Sequence, residues 1–411
     1  MRHYSQNRAL VGACVLLLMA TIGWSQSLTW LGTLPGGGWS AAYSISADGR
    51  VVVGLALDAT GQRRAFRWTA DGGMQDLGTL PGGGWSEAYS ISADGSVVVG
   101  WAHNAAWHDR AFRWTADGGM RDLGTLGGNK SWAFGVSADG RVVVGCAENA
   151  DRWRRAFRWT PWSGMQDLGT LGGSESWAYS VSADGRVVVG LALNTSGQSR
   201  AFRWTASGGM QDLGTLGGGS SAAYDISADG RVVVGWARNA AGQQRAFRWM
   251  SGGGMQDLGS LGGSSSTAYD VSADGSVVVG SSGGRAFRWT ELGGMEDLNL
   301  TYVYMLTCLV TPDSDLREAR AISSDGRYIV GVGYNAATRR EEAFLLDTQA
   351  PFPQNGDVNR DGCVDDIDML GVLFEFGESV NNFNRCVDVN RDGIIDDADL
   401  LIVLFNFGEG R

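Results

Sequence analysis

Proline and histidine are scarce in this chain of 411 residues, with six Pro and three His against 63 Gly. With so little proline, the turns fall to glycine, which reaches positive φ without steric cost. The remaining composition, 44% hydrophobic and 19% charged, is that of a globular protein rather than a disordered one. Beyond the N-terminal stretch only His103 and His108 remain, both in one polar loop. That leaves few candidates for general acid–base chemistry. P-loop, nucleophile-elbow and zinc-site patterns are missing as well. So is basic charge: the net charge is −11, and from Asp357 to Arg411 thirteen Asp and Glu face four Arg. Nothing resembles the basic patch that nucleic acid requires, so no nucleic-acid partner is expected.

Long apolar runs are also lacking. The one candidate, Ala9 to Ile22, has 14 residues, short of the roughly 20 needed to cross a bilayer. Arg2 and Arg8 precede it and Gly23-Trp24-Ser25 follows, which reads as a secretory signal over residues 1–25, cleaved after Ser25. Cys14 lies in the first half of the run, whereas a lipidation cysteine would close it. The expectation is a secreted, extracellular or surface-attached protein with no membrane span. Cys146, Cys308, Cys363 and Cys386 would survive cleavage, and an even count in an oxidising compartment permits disulfides.

What the chain has in abundance is repetition. Ser-Ala-Asp-Gly-Arg-Val-Val-Val-Gly, first met at Ser46 to Gly54, returns with its Asp at Asp48, Asp94, Asp139, Asp184, Asp229, Asp274 and, varied, Asp325. The spacings of 46, 45, 45, 45, 45 and 51 mark a propeller or a solenoid. Each unit holds four strand-like pieces: Tyr43-Ser-Ile-Ser, Arg50-Val-Val-Val, Arg64-Ala-Phe-Arg-Trp-Thr and Met74-Gln-Asp-Leu. The Ala-Phe piece occurs seven times, at Phe66, Phe112, Phe157, Phe202, Phe247, Phe287 and Phe344. The Met-x-Asp-Leu piece occurs six times, and the missing copy stands at the front as Leu28-Thr-Trp-Leu-Gly-Thr-Leu34. A displaced outer strand is the device that closes a circle, so the fold expected over residues 26–347 is an all-β, seven-bladed β-propeller closed by its N-terminal strand. The Arg64-Ala65-Phe66 pieces resemble the HAF repeat of secreted bacterial proteins; that resemblance implies an extracellular repeat protein and no particular activity.

Departures from the repeat are the candidates for function. Trp39, Trp85, Trp132 and Trp177 stand just before the inner strands of blades one to four, where blades five and six have Ala222 and Thr267. Trp107, beside His103 and His108, and Trp153, between Arg152 and Arg154, join them from another loop of the same face. Flat aromatic faces stack on sugar rings, so these six tryptophans are candidate ligand-binding residues; packing between blades is the competing role. The Ser-Ala-Asp-Gly acids repeat too regularly for an active site, and the unrepeated ones are few (Glu87, Asp109, Glu148, Asp151, Glu175). Blade seven carries an insertion from Thr301 to Glu318, the expected adaptation of a closing blade.

After a linker at 348–355, the C-terminus changes character. Asp357-Val-Asn359-Arg-Asp361-Gly362-Cys363 leads to Asp368, and Asp388-Val-Asn390-Arg-Asp392-Gly393-Ile394 leads to Asp399. Positions 1, 3, 5 and 12 supply side-chain oxygens, position 7 a backbone carbonyl, and glycine the sharp turn: two calcium loops, hence two calcium ions. Each loop runs into an apolar helical stretch, Met369-Leu-Gly-Val-Leu-Phe and Leu400-Leu-Ile-Val-Leu-Phe. This pairing, over 356–411, resembles a type I dockerin. The resemblance implies a small helical calcium module that docks onto a cohesin-like protein or cell-surface scaffold. Loop positions 10 and 11 are Asp366-Ile367 and Asp397-Ala398, not the Ser-Thr common in cellulosomal dockerins, so the likeness supports calcium more firmly than a cellulosomal partner. A Cys363–Cys386 disulfide is expected to close a loop of about 24 residues, worth on the order of 3 kcal/mol, while Cys146 and Cys308 stay unpaired. The functional expectation is a non-enzymatic binding or display protein with a carbohydrate ligand, and the alternative a polysaccharide-active hydrolase attached through its dockerin.

Overall fold

The computed structural model describes residues 28–302, 306, 314–349, 358, 364, 366–378, 387–389 and 394–407. The signal sequence therefore lies outside the described residues. So do Cys308, Cys363 and Cys386, and with them the expected disulfide.

Seven four-stranded antiparallel sheets follow one another along the chain. In blade one the strands run outward from the axis as Ser40–Ile45, Val52–Leu57, Arg63–Thr69 and Gly73–Asp76. Each inner strand touches that of the next blade, and the inner strand of blade seven (Asp315–Ile322) touches that of blade one. The circle is closed as the repeat count requires. Leu28, Thr29 and Trp30 pair with Leu346, Leu345 and Phe344, so the fourth strand of blade seven comes from the front of the chain. Leu31 N–H extends the seam to the Ala343 carbonyl at 2.8 Å.

The repeated residues each have a mechanical task. All seven Ala-Phe phenylalanines are 0% exposed, and burial of each ring contributes roughly 1.5–3 kcal/mol. Every ring lies across the glycine that ends Val-Val-Val-Gly. A Cβ on Gly190 would stand 1.9 Å from the Trp177 carbonyl oxygen and 2.9 Å from the Phe202 ring. No other residue fits there. A serine of the inner strand in blades one to six stitches neighbouring blades: Ser131 Oγ accepts from Ala111 N–H at 2.9 Å and donates to the Gly124 carbonyl at 2.6 Å. Ser40, Ser86, Ser176, Ser221 and Ser266 do the same.

The Ser-Ala-Asp-Gly turn is structural, as its regularity implies. Ser92 Oγ donates to Asp94 Oδ1 at 2.6 Å and accepts from Val97 N–H at 2.9 Å, and this hydroxyl contributes most to holding Asp94 below the usual carboxylate range. Between the Ser and the Asp, Ala47 N–H bonds the Ala93 carbonyl at 3.0 Å, and the pattern continues blade to blade as far as Ser324. These bonds gird the channel on the face opposite the tryptophans. A helical turn, Leu298–Thr301, leads into the blade-seven insertion, and Leu298, Tyr302 and Leu306 fill the core between blades six and seven.

Truncation of one repeated phenylalanine tests this division of labour. Phe157→Ala should lower the stability of the propeller by about 3–5 kcal/mol in denaturant melts. Arg186→Ala, at an exposed turn, should stay within about 0.5 kcal/mol.

Candidate functional site

The inner strands carry two tiers of side chains around the axis. One tier is a ring of Tyr43, Tyr89, Phe134, Tyr179, Tyr224 and Tyr269, with neighbouring ring centroids 5.3 to 6.0 Å apart. Blade seven places Arg320 in the seventh position. Its guanidinium lies 5.0 Å from Tyr43 and 5.4 Å from Tyr269, and cation–π attraction closes the ring. Glu318 forms an ion pair with Arg320. Burial pushes the tyrosine hydroxyls up, Tyr269 to about 12, so the ring holds its protons at physiological pH.

Two residues earlier on each inner strand lies the second tier, at Ala41, Glu87, Trp132, Trp177, Ala222, Thr267 and Glu318. These residues pair across to Leu55, Trp101, Cys146, Leu191, Trp236, Ser281 and Val332 of the second strands. This register separates tryptophans that the sequence placed together. Trp132 and Trp177 lie within inner strands, at the position where blades one and two have Ala41 and Glu87. Trp39 and Trp85 sit two residues earlier, before their strands begin.

Trp132 and Trp177 help to line a cavity of about 350 Å³ with Trp101, Tyr89, Phe134, Cys146, Arg63, Glu87 and Arg154. Cys146 is free and buried, and burial pushes its thiol well above the usual range, which leaves it inert. Arg63 bonds Glu87 at 2.7 Å, and Glu87 accepts from the Tyr89 hydroxyl at 2.8 Å. The Arg154 guanidinium lies 5.0 Å from the Trp132 ring. Sequence reasoning missed Trp101 and Arg63, and named Arg154 only as a neighbour of Trp153. The available signal was variation at a constant register position, as in the residue that follows Val-Val-Val-Gly.

The other four tryptophans stand apart from this cavity. Trp85 stacks on His103 at 5.3 Å, and Trp107 and Trp101 flank the same imidazole at 5.2 and 5.4 Å. His103 Nε2 lies 3.1 Å from Asp109 Oδ1, which fixes the ring among the three indoles. Trp107 is 60% exposed at a positive φ of 58°, a turn conformation uncommon for an aromatic residue. Trp153 is 47% exposed at the corresponding turn of blade three. Trp39 Nε1 donates to Glu341 Oε2 at 3.0 Å, across the closing seam.

Below the ring, the far side of the channel is acidic. Ser180 Oγ donates to Asp225 Oδ1 at 2.6 Å, Val271 N–H donates to both Asp225 Oδ2 and Asp270 Oδ1, and Ile322 N–H donates to Asp270 Oδ2 at 2.7 Å. Burial, and then the neighbouring Asp225, push the Asp270 carboxyl well above its usual range.

At the C-terminus, the helices Asp366–Phe374 and Asp397–Phe405 pack around Val364, Val372, Val387, Val389, Ile395 and Val403. Of the ten expected metal ligands, Asp357, Asn359, Asp361, Cys363, Asn390 and Asp392 lie outside the described residues. Asp368 and Asp399, each at position 12 of its loop, are 0% exposed in a first helical turn, and Asp388 is 7% exposed. Asp399 also accepts from Asp396 N–H at 3.0 Å. Carboxylates withdrawn from water at these positions are hard oxygen donors of the kind a calcium ion takes.

Fold and site together define a seven-bladed β-propeller followed by a calcium-type helical module. Residues 355–404 match the family model of the Dockerin type I domain. Such domains bind calcium, are typically extracellular and imply a cohesin partner. No curated protein matches the chain. Among solved structures it is similar to TolB from Acinetobacter baumannii, at 13% identity and a TM-score of 0.44, over 74% of this chain and 65% of that one. It is also similar to a putative TolB from Agrobacterium tumefaciens, at 16% identity and a TM-score of 0.39, over 76% of this chain and 90% of that one. The blade count rests on the strand pairing and takes nothing from these likenesses. No described helix is long and apolar enough to cross a membrane.

Two outcomes follow. Ten Asp between Asp357 and Asp399 repel one another unless a cation compensates them. Chelation of the full-length protein should therefore make the C-terminal module protease-sensitive and leave the propeller resistant; unchanged protection would refute this. The Asp225–Asp270 pair sets a pH dependence. A carboxyl raised in the folded state holds a proton that the unfolded chain releases, so its contribution declines as pH rises through the folded value. The melting-temperature advantage of the wild type over Asp270→Asn should accordingly shrink as pH rises above the ordinary carboxylate range.

Proposed function

We propose that this is an exported, non-enzymatic binding or display protein that holds a carbohydrate at the channel mouth and is tethered through its dockerin. The single observation that carries the reading is Trp132 beside Trp177 in adjacent blades, where the other blades have small or acidic residues. Indoles walling a cavity of about 350 Å³ suit the flat faces of sugar rings, and Arg63, Glu87 and Arg154 supply polar contacts for hydroxyl groups. Trp85, Trp107 and Trp153, exposed on the same face, extend the platform for a longer chain.

Tethering would rest on the module at 356–411, with two calcium ions held by Asp357, Asn359, Asp361, Asp368 and the Cys363 carbonyl, and by Asp388, Asn390, Asp392, Asp399 and the Ile394 carbonyl. Leu370, Leu373 and Phe374, with Leu401, Leu404 and Phe405, are exposed on the two helices and offer an apolar face to a cohesin-like scaffold. The basic start and 14-residue apolar run support export through a signal peptide. The propeller units would be HAF-type repeats.

A polysaccharide-active hydrolase is the second reading, favoured by the unrepeated carboxylates Glu87 and Glu318 near the axis. Against it, Glu87 is held by Arg63 and Tyr89, and Glu318 by Arg320. A glycan array followed by titration calorimetry tests the proposal. Trp177→Ala and Trp132→Ala should each weaken glycan binding at least about tenfold, or 1.4 kcal/mol, with no reducing ends released by the wild type. Release of reducing ends would favour the hydrolase.

A further inference from the structure

We infer that the sugar taken at the channel mouth is acidic, with its carboxylate or sulfate received by Arg154; this rests on the glycan reading of the same pocket. The argument comes from what the other blades do at the same strand position. In four other blades the first variable residue of the third strand reaches across to the next blade. Arg63 meets Glu87 at 2.7 Å, and Gln244 meets Thr267 at 2.8 Å, both on second-tier residues of the neighbouring inner strand. Asp109 meets Lys130 at 3.5 Å, and Glu341 meets Trp39 at 3.0 Å. For Arg154 the second-tier residue of the next blade is Trp177, an indole that offers no anion. Glu175 reaches the backbone N–H of Arg154, at 3.4 Å, and the guanidinium makes no ion pair among the described residues.

The result is a cation laid over one indole, Trp132 at 5.0 Å, and lining the same cavity as a second, Trp177. Stacking fixes the guanidinium without neutralising it, and its forked donors match a carboxylate or sulfate. An anionic group on a ring seated between Trp132 and Trp177 would complete the bridge that every comparable residue named above makes within the protein. Arg63 cannot serve in its place, because Glu87 already holds it.

The test uses full-length protein with calcium, titrated with polygalacturonate, a sulfated galactan and a neutral glucan of similar length. The acidic ligands should bind more tightly than the glucan and weaken as NaCl rises. Arg154→Gln should cost the acidic ligand about tenfold, Arg154→Lys should recover part of the loss, and Arg186→Gln on the opposite face should change nothing. Trp177→Ala should weaken every glycan bound. The preferred one of the two acidic ligands identifies the anion as uronate or sulfate. Equal binding of the neutral glucan, or unchanged affinity in Arg154→Gln, overturns the acidic assignment and leaves the sugar reading standing. Binding of none of the three glycans overturns both.

Discussion

Everything in the propeller depends on closing the circle. Seven sheets that touch only their neighbours form a stable ring only if the last is joined to the first. Here that junction is three residue pairs between Leu28–Trp30 and Phe344–Leu346, with Ser40 accepting from Ala343 N–H at 2.9 Å beside them. The hydrophobic clusters follow the same logic, because each is shared between adjacent blades. One joins Leu31, Ala42, Val52 and Phe66 of the first blade to Ala321, Val330 and Ala343 of the last. No blade can bury its apolar face alone.

Closure also explains where function has room to evolve. Phe, Gly, Ser and Asp of the repeat are committed to the core, the strand crossing, the inter-blade stitch and the turn. Substitution at any of them breaks a contact made in nearly every blade. The tier facing the channel mouth carries no such duty, and there the blades diverge into Ala, Glu, Trp, Trp, Ala, Thr and Glu. The channel becomes two-sided as a result. Aromatic and cationic groups line blades one to four, and the hydrogen-bonded Asp225–Asp270 arc occupies blades four to seven. Arg320 serves both halves: it closes the aromatic ring and balances Glu318.

The C-terminal module uses a different physical strategy. Its core is a handful of valines and isoleucines around two helices, too small to hold fifty residues by burial alone. Type I dockerin domains add calcium to such a core, and here matching apolar residues stand exposed on both helices. A propeller closed by its own strands is thus followed by a module that matches the Dockerin type I domain.

The sequence by itself determined the period, the number of blades, the displaced closing strand and the dockerin-like character of the C-terminus. Each is written in local patterns: alternating strands, glycine turns and oxygen donors at fixed spacing. The insertion before blade seven was also legible as a break in the repeat, whereas the burial of Leu298 and Tyr302 between blades six and seven was not. What the sequence misgrouped was the tryptophans. Trp39, Trp85, Trp132 and Trp177 look equivalent along the chain, yet a two-residue difference in register puts only the last two in the cavity. Their partners, Trp101 and Arg154, come from other strands, and Asp225 meets Asp270 from a blade away. Such meetings depend on which strands lie side by side, which blade packing decides; no local pattern encodes the distance between side chains that are twenty to forty-five residues apart in the chain.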